Sequence, residues 1–330
     1  MKRLFFVVIA AALLWSGYWV YGAQSVRSGV EDWFDLRRDE GWVADYDDFA
    51  VRGFPNRFDA TWQGLTLADP DTGVAWTMPQ FQLLALSYRP RHMIAAWPQR
   101  MQLATPTDKL EITSDRLRAS LRIGSGPTGE LERAVLEGQT IAFTGAESGT
   151  LAELHLAAER TAETTYRLGL EARDLSPPAP MLRRTFGDQA LPDTVQLARL
   201  DATATFDRPW DVTALEVSRP QPTRIDIATL RAEWGVMAFQ ARGTLDIDTA
   251  TGRASGTLAL QAEEWQQMLE IAQASGAITD TMAQAARGVL QMAANASGNP
   301  ASIDVEVTLK DGIAYLGFLP IGPFPRIFLR

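Results

Sequence analysis

Eighteen consecutive residues without a charge, Leu4 to Tyr21 (LFFVVIAAALLWSGYWVY), open the chain and restrict where the rest of it can be. As a helix they rise about 27 Å at ~1.5 Å per residue, close to the ~30 Å hydrocarbon thickness of a bilayer, so one crossing fits. Met1, Lys2 and Arg3 precede the run, and Gly22, Ala23 and Gln24 follow it. The positive-inside tendency then predicts a cytoplasmic N-terminus, with roughly 300 residues on the far side. Trp15, Tyr18, Trp19 and Tyr21 crowd the distal end, where amphipathic rings favour the headgroup layer. These four are the candidate membrane-interface residues.

Two other readings compete. Lys2-Arg3 followed by Leu4 to Leu14 is also the opening of a secretory signal. Its best cleavage point, after Ala23, would place bulky Tyr21 where a small residue is wanted, and four aromatics do not make a polar c-region. A buried core helix is disfavoured because such helices rarely run this long without a polar face. Retained anchor and cleaved signal both export the remainder.

That remainder is acidic, with a formal charge of −9 and a pI near 4.9. Affinity for phosphate backbones comes from clustered Lys and Arg, so no nucleic-acid partner is expected. Arg37-Arg38 and Arg183-Arg184 read as solvated faces. With no cysteine, disulfides, thiolate metal sites and cysteine nucleophiles are all excluded.

Behind the anchor, Gln24 to Glu40 carries Val26, Val30, Trp33, Phe34 and Leu36 at helical spacing, and Gly41 is placed to cap it. From Trp42 onward short alternating runs predict half-buried antiparallel strands. Phe58, Ala60 and Trp62 alternate with Asp59, Thr61 and Gln63, and the turn Asp69 to Gly73 joins Leu65, Leu67 to Val74, Trp76, Met78. Leu117, Ala119, Leu121 and Ile123 alternate with Arg116, Arg118, Ser120 and Arg122. The strongest hairpin is Gly243 to Leu260, leading into helical segments Glu263 to Ala274 and Thr279 to Ala294. Ser302 to Leu309 alternates again before a proline-rich apolar tail.

The fold class expected is α+β: a mostly antiparallel β-sheet body with covering helices, preceded by one N-terminal transmembrane helix. Its plan is a tip and anchor (1–23), an amphipathic helix (24–41), a first strand-rich part (42–175), a Pro-rich connection (176–193) and a second strand-rich part (194–330) holding the helical pair 263–294. The connection is set at Ser176-Pro177-Pro178-Ala179-Pro180, where three prolines in four positions break regular structure.

Gly41-Trp42, Phe49-x-Val51-x-Gly53-Phe54-Pro55-x-x-Phe58, then Gly243-Thr244-Leu245-Asp246-Ile247-Asp248 with Gly252-Arg253-Ala254-Ser255-Gly256-Thr257-Leu258 and Trp265, and finally Asp311-Gly312 to Gly322-Pro323, resemble in that order domain-of-unknown-function family 2125. The resemblance implies a membrane-anchored exported protein of Gram-negative bacteria and supplies no catalytic residue. The Gly243 to Asp248 hairpin is also similar to hairpins of AsmA-like envelope proteins, which are associated with lipid traffic.

Motifs of chemistry are thin. Gly124-Ser125-Gly126-Pro127-Thr128-Gly129 spells a dinucleotide fingerprint, but its strand alternates with arginines and no βαβ unit follows, so a turn is expected. Asp69-x-Asp71-x-Gly73 lacks the distal bidentate glutamate of a calcium loop. His92 reads as part of a polar loop and His155 as a wet-side strand residue, neither placed for catalysis. Asp45, Asp47, Asp48 and Glu263-Glu264 read as solvating charge. No catalytic, cofactor-binding or metal residue is therefore assigned. Trp42, Phe58, Trp62, Trp76 and Phe81, on strand faces, form a candidate apolar ligand face, which is either core or an open groove.

The expected function is a non-enzymatic, single-pass inner-membrane protein with a periplasmic body that binds a lipid or another hydrophobic envelope component. The alternatives are a structural or assembly partner of another envelope protein and, less favoured, an exported carboxylate-dependent hydrolase.

Overall fold

A computed structural model describes residues 1–126, 128–187, 191–216 and 218–329, without the side chains of residues 215, 216, 296 and 297. In chain order the elements are α1 (Lys2–Asp39), β1 (Val43–Asp45), β2 (Asp48–Arg52), β3 (Arg57–Asp69), β4 (Val74–Leu86), β5 (Arg89–Ala96), β6 (Arg100–Ala104), β7 (Lys109–Thr113), β8 (Arg116–Ile123) and β9 (Leu131–Thr144). They continue as β10 (Gly149–Arg160), β11 (Thr165–Ser176), α2 (Ala179–Phe186), β12 (Val195–Phe206), α3 (Thr213–Glu216), β13 (Pro222–Trp234), β14 (Met237–Ile247) and β15 (Ala254–Glu263). Then come α4 (Trp265–Ala274), α5 (Asp280–Ser297), β16 (Ser302–Lys310), β17 (Ile313–Leu316) and β18 (Leu319–Pro323).

The α+β class is observed, with mostly antiparallel sheet and a long apolar N-terminal helix able to span a membrane. The chain divides into two compact units: unit 1 holds Met1–Ile123 and Leu136–Ala146, and unit 2 holds Gly124–Val135 and Glu147–Arg330. Ser176 to Pro180 lies inside unit 2: Ser176 ends β11, and Pro177 to Pro180 lie between β11 and β12, which pair with each other. Within the expected 176–193 connection, Ala179–Phe186 is a short helix and residues 188–190 lie outside the described residues.

In unit 1, α1 is one unbroken helix whose surface changes character along its length. Leu4 to Tyr21 is apolar all round, whereas beyond it Val26, Val30, Trp33 and Phe34 recur at i, i+4, i+7 and i+8 among charges. The second pattern is the stripe of a helix that covers a sheet. Phe34 is buried with Ala44, Ala60, Trp62, Leu65, Met78 and Met101, and Val26 and Val30 pack against that cluster. The helix stops where Gly41 adopts φ +88°: Gly41 N–H donates to Arg38 O (2.9 Å) and Trp42 N–H to Arg37 O (3.0 Å), the two bonds of a Schellman cap.

Beneath α1, β2–β3 and β3–β4 are antiparallel hairpins, with Trp62 opposite Phe81 and Leu67 opposite Trp76. The Asp69 to Gly73 turn is closed by Gly73 N–H to Asp69 O at 2.9 Å, while Asp69 accepts from Asp71 N–H and the Thr72 hydroxyl. That hydroxyl, foremost, holds the Asp69 carboxyl below its ordinary pKa. β4 also pairs β5 and β6, β5 pairs β8, and residues 142–144 of β9 pair β7.

Unit 2 is an antiparallel meander in which β10 to β18 pair in chain order. Its apolar face carries Leu245, Ile247, Leu258, Val307 and Leu309, against which Val289 and Leu290 of α5 pack. Trp265 and Leu269 of α4 join Ala286 and Ala294 of α5 in a second cluster, and Trp265 Nε1 donates to Pro300 O at 3.0 Å. Thr279 caps α5 by accepting from Met282 N–H, as a threonine at that position should.

The β14–β15 hairpin needs glycine at two places. Gly243 (φ +151°) sits opposite Leu258 and Gly256 (φ +149°) opposite Leu245, and a Cβ on either would lie 2.1 Å from a carbonyl oxygen of the facing strand. Gly256→Ala is expected to lower the unfolding free energy by about 2 kcal/mol or more. Gly288→Ala, on the open face of α5, is expected to raise it by up to about 1 kcal/mol. Urea denaturation of the full chain in detergent, followed by circular dichroism, compares the two; equal effects would refute the assignment.

Candidate functional site

An apolar cavity of ≈ 450 Å³ opens between α1 and the sheet of unit 1. The helix contributes Ser25, Val26, Gly29, Val30, Trp33 and Phe34, and β3 and β4 contribute Trp62, Leu65, Leu67, Phe81 and Leu83. Its position follows from local sequence. The covering stripe of α1 loses its side chain at Gly29, where a Cβ would meet nothing within 4 Å, so helix and sheet are left apart there. Trp33 stays exposed at the mouth while Trp62 is buried at the floor.

Aromatic contacts brace the walls. Ring centroids run Phe34–Tyr46 at 4.9 Å, Phe49–Trp62 at 4.8 Å, Trp62–Phe81 at 5.8 Å and Phe81–Trp97 at 5.5 Å, distances at which aromatic pairs attract beyond their area burial. None of the lining side chains ionises. The arrangement can hold an aliphatic or aromatic group by desolvation and dispersion, and its one hydroxyl, that of Ser25, donates to Tyr21 O at 3.0 Å.

The five expected face residues separate. Trp62 and Phe81 line the cavity, and Trp76 packs on the same core from its place opposite Leu67. Phe58 is buried elsewhere under α1, its ring so close to Gly22 that a Cβ there would lie 2.4 Å from it. Trp42 is at the other end of the helix, where the Arg37 guanidinium lies 5.7 Å from the centroids of both Trp42 and Trp33.

Of the four expected interface residues, three hydrogen-bond to loops of the body. Trp15 Nε1 donates to Pro55 O (2.9 Å), Tyr18 Oη to Ser87 O (2.6 Å) and Trp19 Nε1 to Arg57 O (2.7 Å). Tyr21 is exposed. These bonds escape sequence reasoning, because a backbone carbonyl acceptor leaves no trace in residue type. Gly29 was legible in principle as a gap in the stripe Val26, Val30, Trp33.

Elsewhere one expectation is corrected. His92 is on β5, not in a loop, because the turn after Leu86 is tight enough for the strand to resume at Arg89; its Nε2 lies 2.9 Å from Ser120 Oγ on β8. His155 is an exposed residue of β10. Gly124 to Gly129 is followed by strand β9 and not by a helix, and Gly124 N–H donates to Glu130 O at 2.8 Å, while Pro127 lies outside the described residues. Several carboxylates are held below the usual range: Asp211 by the Thr213 hydroxyl, Asp226 by that of Thr244, Asp248 by that of Thr251 and Asp201 by the Arg167 guanidinium. Each is a settled anion within a turn or cross-strand pair.

Trp62 Nε1 is buried without a hydrogen-bond partner. Burying such a donor costs about 1–3 kcal/mol. Trp62→Phe, which removes it and keeps most of the ring, is therefore expected to cost less than about 1.5 kcal/mol, against about 3–5 for Trp62→Ala. Urea midpoints of the full chain in detergent decide this, and equal losses would show that the indole N–H is partnered.

Comparisons with curated proteins and with solved structures returned no match, and the expected similarity to AsmA-like envelope proteins is not shown. A scan against family models matched residues 19–325 to a family described as "uncharacterized protein conserved in bacteria" (DUF2125).

Proposed function

The chain belongs to that bacterial family, and on this premise we propose that it is a non-enzymatic protein of the cell envelope, held in the inner membrane by α1, whose periplasmic unit 1 holds the acyl chain of a lipid in the cavity under that helix. The observation that carries the reading is the continuity of α1. The same helix that is long and apolar enough to span a membrane forms one wall of the cavity, and Ser25 follows Tyr21 by four residues, about 6 Å of helix. A chain leaving the bilayer has little distance to travel.

Size and chemistry agree with this reading. The cavity falls within the ~300–1,000 Å³ usual for small-molecule sites. Its lining is almost wholly hydrocarbon and ring, which suits methylene groups at about 0.8 kcal/mol each. The same lack of ionising groups supports a binding role over a hydrolase. Lys2 and Arg3 before the span support a cytoplasmic N-terminus and a body on the opposite side.

Native mass spectrometry of the full chain extracted in mild detergent tests the proposal. The wild type is expected to carry an acyl-containing species, and Gly29→Trp, which fills the cavity, is expected to lose it. Absence of that species from the wild type, or its persistence in Gly29→Trp, overturns the reading.

A second reading, an assembly partner, draws on Phe318, which is 95% exposed at the tip of the β17–β18 hairpin. A photo-crosslinking residue in place of Phe318 would trap one reproducible protein in cells if that reading holds, and none if the tip is merely solvated.

A further inference from the structure

The loops that bond to α1 do so below the upper end of its apolar run. Trp15 precedes Tyr21 by six residues, about 9 Å of helix, and only about 16 Å separate it from Leu4. If Pro55, the partner of Trp15, lay above the hydrocarbon, about half of a ~30 Å layer would be left without helix to cross it. The crossing and the hydrogen bond are compatible only if the loop enters the membrane. Long helical side chains also lean toward the N-terminus, which carries the contact deeper and not shallower.

Two exposed rings mark this end of unit 1. Phe54, in the loop between β2 and β3, is 57% exposed although it touches Trp19 edge-on at 5.5 Å. Tyr88, in the turn between β4 and β5, is also 57% exposed. In water both would be costly placements for large rings.

Several backbone groups around them are paired within the protein. Gly53 O accepts from Asn56 N–H (3.1 Å) and Arg57 N–H (2.8 Å), and Asn56 O accepts from Ser87 N–H (2.8 Å). Pro55 O accepts from Trp15 Nε1 and from Ser87 Oγ (3.3 Å), Arg57 O from Trp19, and Ser87 O from Tyr18. Non-helical backbone in a low-dielectric layer is tolerated only when its polar groups are met by protein in this way. Arg52 and Arg89 are exposed, two and one residues from the rings, in a chain of net charge −9; basic side chains beside exposed rings suit a surface of anionic lipid phosphates.

We propose that this end of unit 1 is seated in the bilayer that α1 spans, with Phe54 and Tyr88 below the phosphates and Arg52 and Arg89 at them. The proposal rests on the anchor reading of α1 and goes beyond it by making the body, and not only the helix, a membrane-inserted part. Trp15, Tyr18 and Trp19 then act as brackets that fix the depth of the loops.

The chain has no cysteine, so single labels are unambiguous. Ile9→Cys, Phe54→Cys, Tyr88→Cys and Asp71→Cys would each be labelled with an environment-sensitive fluorophore on the full chain. Each is reconstituted in vesicles of phosphatidylethanolamine and phosphatidylglycerol containing lipids nitroxide-labelled near the top of the acyl chain. Asp71 lies at the far end of β3, about 40 Å along the strand, and serves as the aqueous reference. Labels at 54 and 88 are expected to be quenched about twofold or more, as for a group ~5–10 Å into the interface, with the label at 71 unaffected. Quenching at 9 with none at 54 and 88 overturns the seating and leaves the anchor standing. No quenching at 9 overturns the anchor reading and the seating with it.

Discussion

A helix of 38 residues that starts apolar on every side and ends apolar on one must be solvated in two different ways, and unit 1 is organised around the change between them. In its first half the backbone is self-satisfied and the side chains need hydrocarbon. In its second half Val26, Val30 and Phe34 need a sheet; Phe34, fully covered, contributes roughly 1.5–3 kcal/mol, and the partly buried Val26 and Val30 less. The changeover sits near Gly22, where the absence of a side chain lets α1 approach the ring of Phe58. The bonds from Trp15, Tyr18 and Trp19 to body carbonyls fall just before it, so helix and sheet are joined on both sides of the transition.

Once the helix is placed, the cavity follows from a shortage of side chain and not from special chemistry. A helix covers a twisted sheet completely only if its stripe is continuous, and Gly29 interrupts it between Val26 and Trp33. The aromatic series from Phe34 to Trp97 keeps the sheet from collapsing into the gap, because close-packed rings have few other positions to adopt. Unit 2 covers its apolar strand faces with two shorter helices. There α4 and α5 present Trp265, Leu269 and small residues such as Ala286 and Ala294 that fit closely against the apolar strand faces.

Much of the fold was legible in period and punctuation. The alternation in β3 and β4, the Asp69 to Gly73 turn, the Gly243 to Leu260 hairpin and the cap at Gly41 are local arrangements, and local residue preferences dictate them. The placement of His92 was less legible, because Arg-Pro-Arg-His is polar enough to pass for a loop, and β5 is held as strand by pairing with β4 and with the distant β8. The candidate site was half legible. Trp62 and Phe81 share a strand face and meet as a cross-strand pair, whereas Phe58, four residues back along β3, comes under a different part of α1, and Trp42 follows the helix cap to Arg37.

The sequence by itself determined that the chain opens with a helix fit to cross a membrane, that antiparallel sheet with one greasy and one wet face follows, and that no cysteine chemistry is present, because hydropathy, period and composition are properties of residues in order. Only the tertiary structure decided that the amphipathic half of α1 lies on the sheet, that Gly29 leaves an opening there, and that the aromatic residues at the end of the apolar run bind the loops carrying Phe54 and Ser87. Those outcomes depend on which backbone carbonyls and which faces of distant strands arrive beside the helix. Residues some 40 to 70 positions apart meet in those bonds, and pairing at that separation is set by the closing of the whole unit.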